Sequence, residues 1–384
     1  MNNLAWVLFF ASFGLLLYTY ALYPILVVGL GFVRRQTSVT DPEARPMVTL
    51  IISAYNEETV IEEKLKNSLL LDYPKDRLEI VVASESTDRT HEIAGRYVAH
   101  GIRLRTFPGR SGKSATLYRV VPDVSGEIIV FSDANALYRP DAIRQIVKHF
   151  ADPTVGSVIG TLHYCDPTDS VGGRGESLYW RYDLWLRRHL GRVRGMVPGI
   201  NGSMFAIRRS LYLPFAEDRG DDYELCTRIA IRGHQVISEP AAIAIERASE
   251  STPQQFSRKK RLVRWNTMSS LLLLRDAFAN KAWLVAFQVV SHRLLRYLAP
   301  LFLIAGFLAS LWLAPSSTFC LGAVLLQVFF YGIAGLGWAA EAEGASLPRI
   351  CLVPSYFLMV NSAALAGLVA ALKAGQSTTW QKAR

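Results

Sequence analysis

Three short clusters carry the residue types needed to handle a phosphorylated substrate: Asp133-Ala134-Asn135, Asp221-Asp222 and Arg261-Leu262-Val263-Arg264-Trp265. Carboxylate and amide oxygens two residues apart, as on Asp133 and Asn135, can ligate a hard divalent cation such as Mg2+ or Mn2+. A carboxylate within hydrogen-bond reach of a hydroxyl can take its proton. A guanidinium can grip two diphosphate oxygens together, and a neighbouring tryptophan offers an aromatic face to a sugar ring. Lys113 adds a weaker signal in Gly109-Arg110-Ser111-Gly112-Lys113-Ser114, a Gly-Ser loop suited to cradling phosphate, although its spacing is not that of a Walker loop.

These residues need a scaffold, and the sequence around them supplies one. Apolar, β-branched runs at 47–53, 78–83 and 127–132 are each followed by polar residues, and helical stretches separate the runs. Buried strands alternating with helices predict a doubly wound α/β sheet. Ligands of such sheets gather at the carboxyl ends of the strands, where Asn56, Glu85, Asp88 and Asp133 fall. The stretch Thr37–Pro46 reads as a linker leading into this domain.

The domain lies between apolar spans. From Leu4 to Val33 there is no charged residue, enough to cross hydrocarbon and longer than the core of a cleavable signal peptide. Arg34-Arg35 follows at once, so the positive-inside rule places the soluble domain in the cytosol, at a cell inner (plasma) membrane. Further spans are expected near Tyr297–Ala314, Thr318–Ala340 and Ile350–Leu372, and the interrupted apolar stretches at 266–296 are expected to lie along the interface. The expected organisation is an anchor at 1–35, a catalytic domain at 46–265, interface helices at 266–296 and membrane helices at 297–373. Three C-terminal crossings would leave Lys373, Lys382 and Arg384 outside, against the positive-inside rule.

Composition narrows the classes. A hydrophobic fraction of 51% is high for a purely soluble chain. The net charge of +10 gathers after hydrophobic runs and around 174–194 and 258–264, which suits lipid headgroups and a diphosphate better than nucleic acid. Cys165, Cys226, Cys320 and Cys351 show no short paired spacing, which argues against a zinc site or a disulfide framework.

Taken in order, Val48–Glu58, Gly112–Leu117, Phe131–Asn135, Gly220–Leu225 and Arg261-x-x-Arg264-Trp265 resemble the membrane-bound family 2 glycosyltransferases, which include cellulose, hyaluronan, chitin and poly-N-acetylglucosamine synthases. The resemblance runs from about Pro46 to Trp265 and implies the GT-A fold, a nucleotide-sugar donor and a divalent cation. It assigns Ala54, Tyr55, Asn56, Glu57, Glu85, Asp88, Lys113, Asp133, Arg261, Arg264 and Trp265 to the donor, with Glu85 where the family's Asp meets the base. It assigns Asp133 and Asn135 to the metal, and Gly199, Asn201, Gly202 and Trp265 to the acceptor, with Tyr179 and Trp180 as acceptor-side aromatics. Asp222 takes the position of the family's base, with Asp221 before it. Two departures stand out: Asn135 replaces the second Asp of Asp-x-Asp, and Arg261 replaces the Gln of Gln-x-x-Arg-Trp, the motif of processive synthases.

The resulting expectation is an inverting, metal-dependent enzyme that moves a sugar from a UDP-sugar to a growing β-linked surface polysaccharide. Transfer of one sugar to a polyprenyl or other lipid acceptor is the alternative. A non-catalytic partner in an export complex is a third reading; the intact Asp221-Asp222 pair argues against it.

Overall fold

The computed structural model describes residues 2–165, 171–213, 221–247, 252–343 and 349–373, without the side chains of 164, 171–180, 221, 247, 252, 341–342 and 349. The chain enters through α1 (Asn2–Leu17), a π-helical turn (Tyr18–Leu22) and α2 (Tyr23–Val33). The domain then alternates β1 (Val48–Ala54), α3 (Ile61–Leu69), β2 (Leu78–Ser84), α4 (Thr90–Gly95), β3 (Ile102–Thr106), α5 (Lys113–Val120) and β4 (Ile128–Asp133). Its second half holds β5 (Leu137–Tyr138), α6 (Ala142–Val147), β6 (Val155–Cys165), α7 (Val171–Leu190), β7 (Phe205–Arg208), α8 (Asp221–Ile231) and β8 (Gln235–Arg247). Then come α9 (Thr252–Ala279), α10 (Trp283–Gln288), a π-helical stretch (Val289–Leu294), α11 (Leu295–Leu313), α12 (Thr318–Ala342) and α13 (Arg349–Lys373).

The strands form one sheet in the order β3-β2-β1-β4-β7-β6-β8-β5. The first four are parallel, as the alternation of strands and helices predicts. In the second half β6 and β8 are again parallel, but β7 runs antiparallel to both β4 and β6, and β5 runs antiparallel to β8. Along β1, Leu50 and Ile52 enter one core and Ile51 enters the other, so the strand is buried on both faces. That burial is why its sequence is continuously apolar. The result is an α/β domain with apolar helices attached.

Four described stretches are long and apolar enough to cross a membrane: Asn2–Val33, Trp283–Ser316, Thr318–Ala340 and Ile350–Lys373. Two expected boundaries shift. The limit placed after Trp265 falls inside α9, because no Pro or Gly interrupts the chain between Gln254 and Ala279. The stretch from Trp283 to Arg296 continues into α11 through the π-helical segment instead of ending before it. The first and second of these stretches pack antiparallel: a Cβ on Gly306 would meet Ser12 Cβ at 3.3 Å, and Tyr18 Oη is 2.8 Å from Ser291 Oγ. Helix α13 presses on α9, where a Cβ on Gly367 would meet Lys260 O at 2.7 Å. The tail carrying Lys382 and Arg384 lies outside the described residues.

Candidate active site

The residues expected to meet the donor stand on loops at adjacent strand ends. After Ala54, the last residue of β1, Asn56 adopts a left-handed backbone with φ 54°, which Asn tolerates better than most residues. Its Oδ1 accepts from the Thr87 N–H at 2.8 Å, and its own N–H donates to Ser86 Oγ at 2.9 Å. The Glu57 N–H donates to Thr90 Oγ1 at 2.8 Å. Asp88 accepts from the N–H groups of Thr90 at 3.0 Å and Glu58 at 3.2 Å, so its carboxylate shapes the loop pair. Tyr55 lies under the Arg110 guanidinium, 4.7 Å from ring centroid to Cζ. Glu85 is buried; its Oε2 accepts from the Gly112 N–H at 2.8 Å, and its Oε1 is buried without a partner among the described residues.

Gly112 has φ +96°, a turn that a side chain would strain, and it delivers Lys113 as the first residue of α5. Lys113 Nζ donates to Asp133 Oδ1 at 2.9 Å. Asn135 follows in the same turn, half-buried. Behind this turn lies Lys64, fully buried, donating to Ala136 O with its ammonium 3.8 Å from the Tyr138 ring centroid. Burial drops Lys64 to about 7, against the pull of Asp133 and Glu246. Glu246, near the end of β8, is pushed up to about 7 by burial and then by the Asp133 carboxylate.

Gly199, Asn201 and Gly202, expected on the acceptor side, stand on the loop from Met196 to Ser203. Gly199 lies against the Arg187 side chain, whose Cγ would stand 2.0 Å from a Cβ there; only glycine fits. Arg187 Nη1 donates to Ile200 O at 3.0 Å and pairs with Asp183, which Arg296 also approaches at 3.6 Å. Burial raises Asp183, but Arg187 and Arg296 together hold it well below the usual carboxylate range. Gln288 reaches from α10 and closes on Val197: its Oε1 accepts from the Val197 N–H at 2.8 Å and its Nε2 donates to Val197 O at 2.5 Å. Asn201 is engaged within the domain, donating to Gly160 O at 3.0 Å and accepting from the Met204 N–H at 3.1 Å.

The two sides meet at Gly202. A Cβ built there would lie 3.5 Å from Asp222 Oδ2, 3.6 Å from Asp133 Oδ2 and 3.6 Å from Lys113 Nζ. Two carboxylates and an ammonium from distant parts of the sequence therefore face one small space, open because residue 202 has no side chain. Asp222 stands in the first turn of α8, its Oδ1 accepting from the Tyr223 N–H at 2.7 Å. The side chains of Asp221, Tyr179 and Trp180 lie outside the described residues.

Helix α9 presents Arg261 and Trp265 one turn apart, the guanidinium 5.6 Å from the ring centroid. Burial and then Arg258 lower the Arg261 pKa, while the Asp133 carboxylate acts the other way, so Arg261 lies within the electrostatic field of the site. Arg264 is half-buried on the same helix.

Sequence reasoning passed over Lys64, Tyr138, Arg187, Glu246 and Gln288. Lys64 reads as one more charge in an amphipathic helix, and Gln288 as a polar interruption in an apolar one. The available signal was negative: a polar residue in an apolar pattern needs a buried partner.

The description "Glycosyltransferase like family 2" matches residues 45–267. Among relatives, "Probable glycosyltransferase YdaM" of Bacillus subtilis is 29% identical over 73% of this chain and 71% of its own. A "Beta-monoglucosyldiacylglycerol synthase" of Synechocystis is 30% identical over 39% of this chain and 34% of its own. A "Poly-beta-1,6-N-acetyl-D-glucosamine synthase" of Staphylococcus aureus is 24% identical over 61% and 57%. This chain thus spans about a third of the glucolipid synthase and just over half of the polysaccharide synthase. The mannosyltransferase PcManGT from Pyrobaculum calidifontis, solved with GDP-Man and Mn2+, shares the fold with a TM-score of 0.74 at 24% identity, covering 98% of this chain and 99% of that one. With the family match spanning the whole sheet and every residue that meets at Gly202, the chain belongs to glycosyltransferase family 2: it is a GT-A glycosyltransferase with four helices long and apolar enough to cross a membrane.

Proposed function

We propose that this enzyme transfers one sugar, with inversion, from a UDP-sugar to a hydroxyl of a lipid-borne acceptor at the cytosolic face of an inner (plasma) membrane. The observation that carries the chemistry is the convergence of Asp133, Lys113 and Asp222 on Gly202. Asp222 is the base: it takes the acceptor proton as the hydroxyl oxygen bonds to the anomeric carbon and the bond to UDP breaks on the opposite side. No covalent glycosyl-enzyme is needed. Lys113 and Arg261 supply positive charge toward the departing diphosphate, with Arg264 and Trp265 on the same helix face completing the cradle. The buried, unpartnered Oε1 of Glu85 suits an N–H of the uracil ring.

Asp133 and Asn135 would hold Mg2+ or Mn2+. The donor set fits: one carboxylate and one amide oxygen are hard ligands, and Lys113 already sets a positive charge against Asp133 Oδ1. Among the described residues no group of three or more acidic, His or Cys side chains could cage a metal by itself, so the diphosphate oxygens would complete the shell. When bound, such a cation neutralises the charge that develops on the leaving diphosphate.

A lipid-borne acceptor is favoured over a growing polysaccharide because the acceptor loop is fastened to an apolar helix through Gln288, and a glycolipid synthase is among the relatives. A polysaccharide synthase is also among them, and elongation is the second reading. The test is purified protein in nanodiscs with radiolabelled UDP-sugars, with and without diacylglycerol or polyprenyl phosphate. A solvent-extractable product bearing one sugar supports the first reading. Large water-soluble product supports elongation, and no transfer from any UDP-sugar overturns both.

A further inference from the structure

One buried chain of contacts joins the two halves of the site without touching the space at Gly202. On α3, Lys64 and Asn67 stand one turn apart and grip the turn that carries Asp133 and Asn135. Lys64 donates to Ala136 O and sits over the Tyr138 ring, as above. Asn67 pairs with both backbone groups of Tyr138, donating to its O at 2.9 Å and accepting from its N–H at 2.8 Å. Tyr138 is 2% exposed, and its hydroxyl reaches across to Ser203 O at 2.8 Å, with Phe131 O farther off at 3.2 Å. A phenol has one hydrogen to donate, so the shorter contact, to the acceptor loop, is the one it serves best. Ser203 in turn donates from its Oγ to the buried Glu246.

We propose that Tyr138 is a positioning residue for glycosyl transfer: its hydroxyl, seated by Lys64 and Asn67, straps the metal-and-donor turn to the acceptor loop and fixes the separation of Asp133 from Asp222. The proposal rests on the roles given above to those two aspartates. Its physical basis is that Gly202 adjoins Ser203, so a shift of the loop carries the acceptor hydroxyl away from the anomeric carbon. Small displacements of reacting groups are costly in rate. Donor binding draws on the turn, the strand-end loops and α9, none of which is held through the Tyr138–Ser203 contact.

The test is Tyr138→Phe in the full chain, in nanodiscs. This variant removes one hydroxyl and keeps the ring that packs on Lys64. UDP affinity in the presence of Mn2+ is expected to stay within about twofold, while kcat for transfer falls about tenfold, equivalent to about 1.4 kcal/mol. Donor hydrolysis by water, which needs no aligned acceptor, is expected to hold steady, so the ratio of transfer to hydrolysis drops. Normal kcat in the variant overturns the proposal, as does a parallel loss of kcat and UDP affinity, which marks general loosening. A second measurement does not depend on turnover. Amide exchange is expected to rise in the 199–204 segment but not in 54–58, and unchanged exchange at 199–204 sinks the strap even if the donor is not a UDP-sugar. Lys64→Met, which unseats the ring, is expected to reproduce both the exchange pattern and the drop in the transfer-to-hydrolysis ratio.

Discussion

The two halves of the site, proposed to take the donor and the acceptor, are held by different means. In the donor half, residues 54–58, 84–90 and 112–113 bond to one another across neighbouring strand ends, through Asn56 to Thr87, Glu57 to Thr90 and Glu85 to Gly112. All of these partners lie in the loops and helix starts that follow the first parallel strands. In the acceptor half, Val197 and Ile200 hang from Gln288 and Arg187, side chains on helices outside the sheet, and Gln288 is 91 residues from its partner. The proposed donor half is thus held mainly by loops of the sheet, with α9 adding Arg261, Arg264 and Trp265. The proposed acceptor half depends in addition on how α7 and the helix carrying Gln288 seat against it.

The sharpest way to break that division is at the two aspartates, where the expected effects are largest. Asp222→Asn should lower transfer by about a thousandfold, within the range for loss of a general base, and leave UDP affinity nearly unchanged. Asp133→Ala should abolish both transfer and metal-dependent UDP binding. Calorimetry beside turnover decides, and an active Asp222→Asn enzyme would remove the base from this position.

Next in size is the clamp on the acceptor loop. Gln288→Leu leaves the Val197 N–H and C=O buried without their partner, a cost of about 1–3 kcal/mol for such groups. Acceptor KM or kcat should worsen by roughly tenfold or more, with UDP affinity preserved. Steady-state kinetics with the acceptor varied tests this. A fall in UDP affinity of the same size would show that the halves are not separable.

A smaller, pH-dependent effect is expected at Glu246. Its folded-state pKa of about 7 lies above the ordinary 4.5, so the folded state holds more protons between those values. The stability this gives is fully present below the unfolded value and is lost as pH rises through about 7. In metal-free protein, wild type should therefore lose stability relative to Glu246→Gln across that window, by at most roughly 1.4 kcal/mol per pH unit. Melting temperatures of both proteins at stepped pH would show it, and parallel curves would contradict it.

The smallest effect is predicted for Arg261→Gln. Arg261 stacks on Trp265 and sits in the field of Asp133, but it is one of several cations around the diphosphate. Activity should change by less than roughly tenfold, or about 1.4 kcal/mol. A collapse on the scale of Asp133→Ala would promote Arg261 to an indispensable donor ligand.

The same division marks what the sequence could disclose. The runs ending at Ala54, Ser84 and Asp133 are apolar because their strands are buried on both faces, and the polar residues beyond them must then lie together at one edge. The parallel half and its ligand edge were legible for that reason. The reversal of β7 was not, because strand direction depends on the path of a connection rather than on apolar pattern. Asp133, Lys113, Gly202 and Asp222 were named from motifs, but only coordinates bring them to one point. Lys64, Tyr138 and Gln288 left no trace in periodicity: each is polar where the pattern asks for apolar, and its partner is distant in sequence.

The antiparallel packing of the first apolar helix on the one that follows α9 has a consequence for the timing of synthesis. Tyr18 and its partner Ser291 are separated by 273 residues, which at about 5–20 residues per second is roughly 14–55 s of translation. For that interval the first apolar helix lacks its partner, and the loop at Val197 waits for Gln288 to leave the ribosome. The sheet, complete by Arg247, precedes both events. A nascent chain is therefore expected to acquire nucleotide binding before it acquires transfer. Ribosome-bound chains arrested before Trp283 should retain UDP and form no product, so a half-made enzyme in the membrane would not discharge sugar onto the wrong acceptor.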